Sequence, residues 1–442
     1  MAAINGPNKQ QSDKGPNDQP VDDRQPSPPA GQFSFIEKLP AEIIQDIASY
    51  LSASDLACLG ATSRTLFEHG STEFLWANLV NARLPTPIQD PGPFQSFRRL
   101  YLAFYPCWFI PQYKIWFGDN DHTGVLILAR YDNHRGVIKG YRIVAERGLP
   151  EFQIWMSNPE VMIHCFDPSV HLALDDPVLL INDPDPTSPT APIQSFKSIP
   201  EERRMPVASD SRHIYTSLSF CCEFTSQAPL VRPNVIWPPQ TIPSKARTLR
   251  DLRNSPSLNV KHLSELSESL FRVRKWANPG LTLSPVPHKA SVTYSTLDPV
   301  LYTPTPEKPY QGIWVGDYKA HGCEFLLFLQ RDRVSPLHGR RSSKIIDTQE
   351  EIRHRGPLEG IKLTGDSNVP RGQLSFIADD LGSRGLINIG TDEPFVGARI
   401  VHTYIDSRLI LISPDLVGLY WKEIGHISYY RRVDIDALLH TM

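Results

Sequence analysis

LPAEIIQDIASYLSASDLACLGATSRTLFEHGSTEFLWANLV, residues Leu39–Val80, decides how the N-terminal part of the chain is read. Pro40 suits a first helical position, where its missing N–H removes no bond. At about 100° per residue, Ile43, Ile44, Ile47 and Leu51 fall on one arc roughly 100° wide, and Glu42, Gln45, Asp46 and Ser49 lie elsewhere. Ser52 and Asp55 have the spacing of a capping box, which opens a second helix with Leu56 and Leu59 along its apolar edge. Phe74, Leu75 and Trp76 begin a third. Three helices in about 45 residues bury too little surface to be secure alone. Fully burying four or five aliphatic side chains contributes about 10 kcal/mol gross. Association costs roughly 4–15 kcal/mol in lost freedom. The exposed part of this face therefore holds a partner only with help from other contacts.

These residues carry a resemblance. Leu39-Pro40-Ala41-Glu42, the helically spaced Ile43 and Ile47, Tyr50-Leu51, Asp55-Leu56, Ser63-Arg64 and the late Leu75-Trp76 together resemble the F-box. Between Thr65 and Thr72 the chain departs from that pattern. The resemblance implies binding to the Skp-family adaptor of a cullin-RING ubiquitin ligase. It implies Leu39, Pro40, Ile43, Ile44, Ile47, Leu51, Leu56, Leu59, Leu75 and Trp76 as the adaptor-binding residues.

The rest of the chain has a different character. Its 442 residues are too many for one small core, and 40% hydrophobic content allows a sizeable one. A net charge of −3 does not steer the chain onto nucleic acid. The 41 prolines fit a loop-rich β protein better than a helical bundle. Cys58, Cys107, Cys165, Cys221, Cys222 and Cys323 include no CxxC pair, so they read as reduced thiols. The N-terminus has no apolar signal region, and the longest apolar runs are strand-length, which predicts no membrane partner. The expected compartment is the nucleus or the cytoplasm.

Residues 1–32 are polar and predict a disordered tail. The F-box segment is expected over 33–80 and a helical linker over 81–106, closed by Pro106. From Cys107 onward, strand-length runs alternate with turns about every ten residues, which predicts a mostly antiparallel β-barrel over 107–442. Strands from both sides of the polar 182–309 region are expected to close a single sheet. Residues 182–210 and 331–356 read as flexible loops, and KHLSELSESLFRVRKW (261–276) as containing a short helix. The fold class is therefore α+β, a small three-helix F-box followed by the barrel, with long Pro-rich loops.

Two separated motifs carry a second resemblance: GIWVGDYKAHGCE (312–324) and KLTGDSNVP (362–370). With LYWKEIGHISYYRRVD (419–434), they resemble the C-terminal domain of F-box-only receptors that bind D-type cyclins, whose β-barrel receives substrate tails. Trp314 and Tyr318 offer flat apolar walls with a polar end. Thr364-Gly365-Asp366 reads as a turn whose carboxylate caps backbone N–H groups, Asn368 stiffens the residues after it, and Trp421 closes a pocket. With His321 these are the expected substrate-binding residues: Trp314, Tyr318, His321, Thr364, Asp366, Asn368 and Trp421. The same residues also read as shapers of barrel corners.

No catalytic residue is nominated. DNDHTG (119–124) begins like a calcium loop, but Arg130 stands where its closing Glu belongs. His321 with Cys323, and Cys221 with Cys222, lack a partner pair at ligand spacing, so neither a metal nor a cofactor is expected. No nucleophile elbow or phosphate loop occurs. The expected role is a non-catalytic ubiquitin-ligase receptor that holds a protein substrate for degradation. The alternatives are a ligase-independent F-box scaffold, and a small-ligand barrel with a helical appendage.

Overall fold

The computed structural model describes residues 34–118, 123–156, 158–183, 202–206, 214–222, 260, 262–277, 284–285, 291–318, 322–332, 356–366, 369, 371–378, 381, 387–388 and 407–440. The chain divides into two compact units, residues 1–70 and 71–442.

In the first unit, α1 (Ala41–Ser49) starts after Pro40 and α2 (Ala53–Gly60) after Ser52. Ser52 accepts the Asp55 N–H at 3.2 Å, the first half of the expected capping box, while the Asp55 carboxylate takes the Ser52 hydroxyl at 2.7 Å rather than its backbone N–H. A further helix, α3 (Arg64–Gly70), lies between the second and third expected helices, where the chain departs from the F-box pattern. Ser63 starts it by accepting the Leu66 N–H at 3.2 Å, a local cap signal in the Ser63-Arg64 pair. The stretch over 41–81 thus holds four helices rather than three, the last being α4 (Glu73–Asn81) in the second unit. There α4 packs against α5 (Phe97–Phe104). The Trp76 and Tyr101 rings meet edge-on at 5.6 Å, and Glu73 accepts the Phe97 N–H at 2.9 Å.

Among the described residues the strands form two sheets, not the single closed sheet expected. The first contains β1 (Ile115–Gly118), β2 (Val125–Asp132), β3 (Val137–Glu146), β6 (Ser169–Leu172), β7 (Leu179–Asn182), β8 (Arg203–Met205), β9 (Ile214–Cys222), β10 (Leu266–Ala277), β11 (Ser284–Pro285) and β12 (Ser291–Thr296). Its order is β6-β3-β2-β1-β12-β10-β9-β8, with β7 also on β3 and β11 on β10. The second contains β13 (Gly312–Asp317), β14 (Cys323–Gln330), β15 (Leu358–Lys362), β16 (Leu374–Ala378), β17 (Ile387–Asn388), β18 (Ser407–Ser413), β19 (Leu416–Trp421) and β20 (His426–Arg432). Its order is β17-β16-β15-β14-β13-β20-β19-β18. The hairpin β4 (Glu151–Ile154) and β5 (Met162–Cys165) joins this second sheet from the first half of the chain. There β5 lies parallel to β20, while the other pairings in both sheets are antiparallel. Each sheet curls: β7 lies against β8, and β17 against β18. The result is mostly antiparallel, half-barrel architecture.

Alternation explains how the sheets pack. Ile313 and Val315 of β13, Phe325 and Leu327 of β14 and Ile361 of β15 meet Ile115, Phe117, Leu126 and Leu128 of the first sheet. The alternate residues Trp314, Leu326, Phe328 and Leu358 point the other way, into a concave core shared with Phe376, Leu419 and Tyr430. Strands buried on both faces need continuous apolar runs, which is what EFLLFL (324–329) supplies. Gly316 is required on the concave side, because a Cβ there would strike the Tyr430 ring. Gly316→Ala is expected to cost about 1–3 kcal/mol through overpacking, read from urea unfolding midpoints.

The helix expected within 261–276 is instead a 3-10 turn followed by β10. Phe271 and Val273 alternate with Arg272 and Arg274 at period two, and pairing with β9 and β12 overrides the helix-forming Leu, Ser and Glu before them.

Candidate functional site

Two surfaces gather the residues of interest. On α1, Ile44 and Ala48 are buried, and Ile44 is only 1% exposed. Ile43 and Ile47 on the same helix remain 47% and 43% exposed. The helix therefore has one apolar edge spent on its own unit and another facing solvent. Leu39, Leu51 and Leu59 are half-buried, and Pro40 is exposed. Leu56 is buried in the first unit, and Leu75 and Trp76 in the second.

The second surface is the polar end of the concave side of the second sheet. Glu324, Lys362 and Tyr318 share that side with Trp314 and Phe328 by strand alternation. Lys362 is buried and forms an ion pair with Glu324. Its ammonium lies 3.3 Å from the centroid of the Tyr318 ring, a cation–π contact. Tyr430 donates to the Tyr318 hydroxyl at 3.1 Å, and the Tyr318 and Ser375 hydroxyls are 3.0 Å apart. Burial pulls the Lys362 ammonium down to about 7, against the upward pull of the Asp366 carboxylate. Burial pushes Tyr318 up, and Tyr430 up to about 12.

The lowered Lys362 value has a signed consequence. Between about pH 7 and the ordinary lysine value near 10.4, the unfolded chain holds a proton that the folded chain has released. Stability from this group therefore rises with pH across that window, by about 2 kcal/mol between pH 7 and 9. Urea midpoints at the two pH values are expected to show the gain in the wild type. Glu324→Gln/Lys362→Met, which lacks both groups, is expected to lose it.

The wall continues outward. Trp421 donates to Ser428 Oγ at 3.3 Å. His164 of β5 is in register with Ser428, so it lies on the same face. The Phe152 ring stacks on His164 at 4.9 Å, and the His426 ring stands 6.0 Å from it. Ile154 and Met162, paired on that face, are exposed. The concave side thus runs from an aromatic floor through a buried ion pair to an exposed apolar rim.

Of the expected substrate residues, Tyr318 and Trp421 belong to this wall. Asp366 lies close enough to act on Lys362 and Tyr318 electrostatically, and its Oδ1 accepts the Val369 N–H at 3.0 Å, the expected turn cap. Thr364 Oγ1 accepts the Phe325 N–H at 2.8 Å, and Gly365 donates to the Thr123 carbonyl at 2.9 Å, so this turn also ties the two sheets together. Trp314 is fully buried, its indole donating to the Tyr310 carbonyl at 3.0 Å and stacking on Phe328 at 4.7 Å, which makes it part of the floor. His321 and Asn368 lie outside the described residues. Sequence reasoning did not nominate Lys362, Glu324 or Ser428. The signal for the first two was one cation and one carboxylate within apolar strands, each the terminal residue of a motif already singled out.

Comparison with known proteins finds matches to two stretches of the chain. Residues 36–82 match a family model described as F-box-like. Residues 294–404 and 402–437 match one described as the Cyclin D1 binding domain, which takes in both 312–324 and 362–370. F-box only protein 47 of Homo sapiens is 33% identical over 88 residues, 18% of this chain and 20% of that protein. The chain thus spans about a fifth of the length of the curated relative it matches. With an F-box-like segment followed by a stretch that matches the Cyclin D1 binding domain, the chain resembles the F-box receptors that bind cyclins.

Proposed function

We propose that this chain is the substrate-recognition subunit of a Skp/cullin/F-box ubiquitin ligase, working in the nucleus or cytoplasm. The observation that carries the reading is the divided face of α1: Ile44 and Ala48 turned inward, Ile43 and Ile47 left in water beside Pro40. That face holds the Skp-family adaptor. The concave side of the second sheet holds an extended segment or tail of a protein substrate, with a cyclin-like partner favoured by the matched C-terminal domain. The chain contributes no catalytic group. It raises the effective concentration of substrate lysines near the ubiquitin-loaded enzyme, and rate follows from proximity.

The test is reconstitution. Purified chain mixed with a Skp-family adaptor is expected to co-elute as a stoichiometric complex, and to recruit a cullin only when the adaptor is present. A D-type cyclin added to that assembly is expected to be ubiquitinated and, in cells, to gain half-life when the chain is removed. Absence of the adaptor complex sinks the ligase reading. An intact complex with unchanged half-life of its captured protein leaves a scaffold instead.

A further inference from the structure

One face of the first sheet carries cations and hydroxyls where packed sheets carry aliphatic groups. Arg272 on β10 stands directly opposite Ser219 on β9 and Thr293 on β12. Cross-strand partners share a face, with Cβ atoms about 5 Å apart. Two residues away on that face, Leu270 stands opposite Ser295, and Arg274 opposite Ser217. The nearby carboxylates are already engaged. Glu202 pairs with Arg274 at 3.1 Å and accepts from Ser217 Oγ at 3.1 Å, and Glu268 pairs with Arg83 at 2.9 Å.

Arg272 differs from its neighbours. It is 4% exposed, and its Nε donates to Thr293 Oγ1 at 3.4 Å. Among the described residues no carboxylate lies within ion-pair distance of it. The hydroxyls of Ser219 and Ser295 are buried without a hydrogen-bond partner among the described residues, and Ser295 is itself 4% exposed. Arg371 is a second buried guanidinium, set over the β1 side of this face. Its central carbon is 5.2 Å from the Phe117 ring centroid, and Phe117 is the direct cross-strand partner of Ser295. Among the described residues, a buried cation meets no anion and the buried hydroxyls meet no acceptor, and an oxyanion would satisfy both.

From this arrangement we infer that the Arg272 face binds a phosphoryl group. A carboxylate offers two oxygens in one plane, whereas a phosphate monoester offers three terminal oxygens in a pyramid. The guanidinium fork of Arg272 holds the group from below, and the hydroxyls of Ser219 and Ser295, on the strands to either side, donate to different oxygens of it. Free phosphate and a phosphorylated side chain both supply this chemistry. The face is built from β9, β10 and β12, so the inference is independent of the adaptor and substrate surfaces proposed above.

The experiment uses the full chain and two probes, inorganic phosphate and O-phosphoserine, at constant ionic strength. Phosphate is expected to raise the melting temperature saturably. Arg272→Gln is expected to abolish that rise, and the double variant Ser219→Ala/Ser295→Ala to weaken apparent phosphate affinity at least tenfold. If Arg272→Gln fails to fold, the serine variant, which keeps the guanidinium, carries the test alone. No phosphate response in the wild type, or one undiminished in the serine variant, overturns the assignment. Tighter binding of phosphoserine than of phosphate supports the site with a modified side chain as its source. Equal or weaker binding supports it with free phosphate as the source.

Discussion

A chain carrying Ile43→Asp and Ile47→Asp is expected to fold like the wild type and to lose the Skp-family adaptor. Both side chains are nearly half exposed, so placing carboxylates there changes stability by about 0.5 kcal/mol or less each, within the range of ordinary surface substitutions. In a complex the same positions become apolar and dry. Burying the exposed half of each isoleucine contributes about 1 kcal/mol, and a carboxylate left unpaired in that interface costs several more. The sum predicts at least a hundredfold loss of affinity, since each 1.4 kcal/mol is tenfold. Isothermal titration with purified adaptor measures it. Ile44→Asp is the contrast: its side chain is 1% exposed, so that variant should unfold the first unit rather than merely unseat a partner. Full adaptor affinity in the double variant would move the docking surface off α1.

The second large effect lies in the buried pair of the second sheet. At pH 6, where Lys362 holds its proton, removing either partner strands a charge in the concave core, so Glu324→Leu and Lys362→Met should each destabilise by about 3–5 kcal/mol. Removing both leaves no stranded charge, and the double variant should recover most of that loss, a coupling of at least about 3 kcal/mol. Urea unfolding of the four chains reads it directly. Additive losses would mean that the two groups do not depend on each other. The stability-neutral double variant then becomes a probe of function. If the pair orders the substrate wall around Tyr318, the protein should stay folded and bind its partner poorly.

The F-box-like segment was legible in the sequence because helical periodicity, a proline start and a Ser52–Asp55 cap are local features. Strand-length runs were readable for the same reason. Which strands pair was not. β1 joins β12 across most of the first sheet's sequence, and no periodicity in either strand names the other. The division into two sheets therefore had to come from the structure. β10 was misread because Leu, Ser and Glu preceded a period-two run whose fate was set by β9 and β12. In the candidate wall, Tyr318 and Trp421 were visible as aromatics near motifs. Lys362 and Glu324 were passed over because a charge within an apolar strand gains meaning only when its partner, 38 residues away in sequence, is seen beside it.

The parallel seam between β5 and β20 carries an implication for how this protein is born. β5 emerges from the ribosome more than half the chain before the strand it needs, so the hairpin must wait while nearly all the second sheet is synthesised. Such distant partners make folding slow. The reverse also holds. A C-terminal fragment cut to the matched domain would leave the start of β20, His426 to Ser428, without its β5 neighbour, a short bare edge that invites another copy to lie along it. Nascent chains stalled before β20, and excised fragments after it, are the forms in which this protein most needs a chaperone.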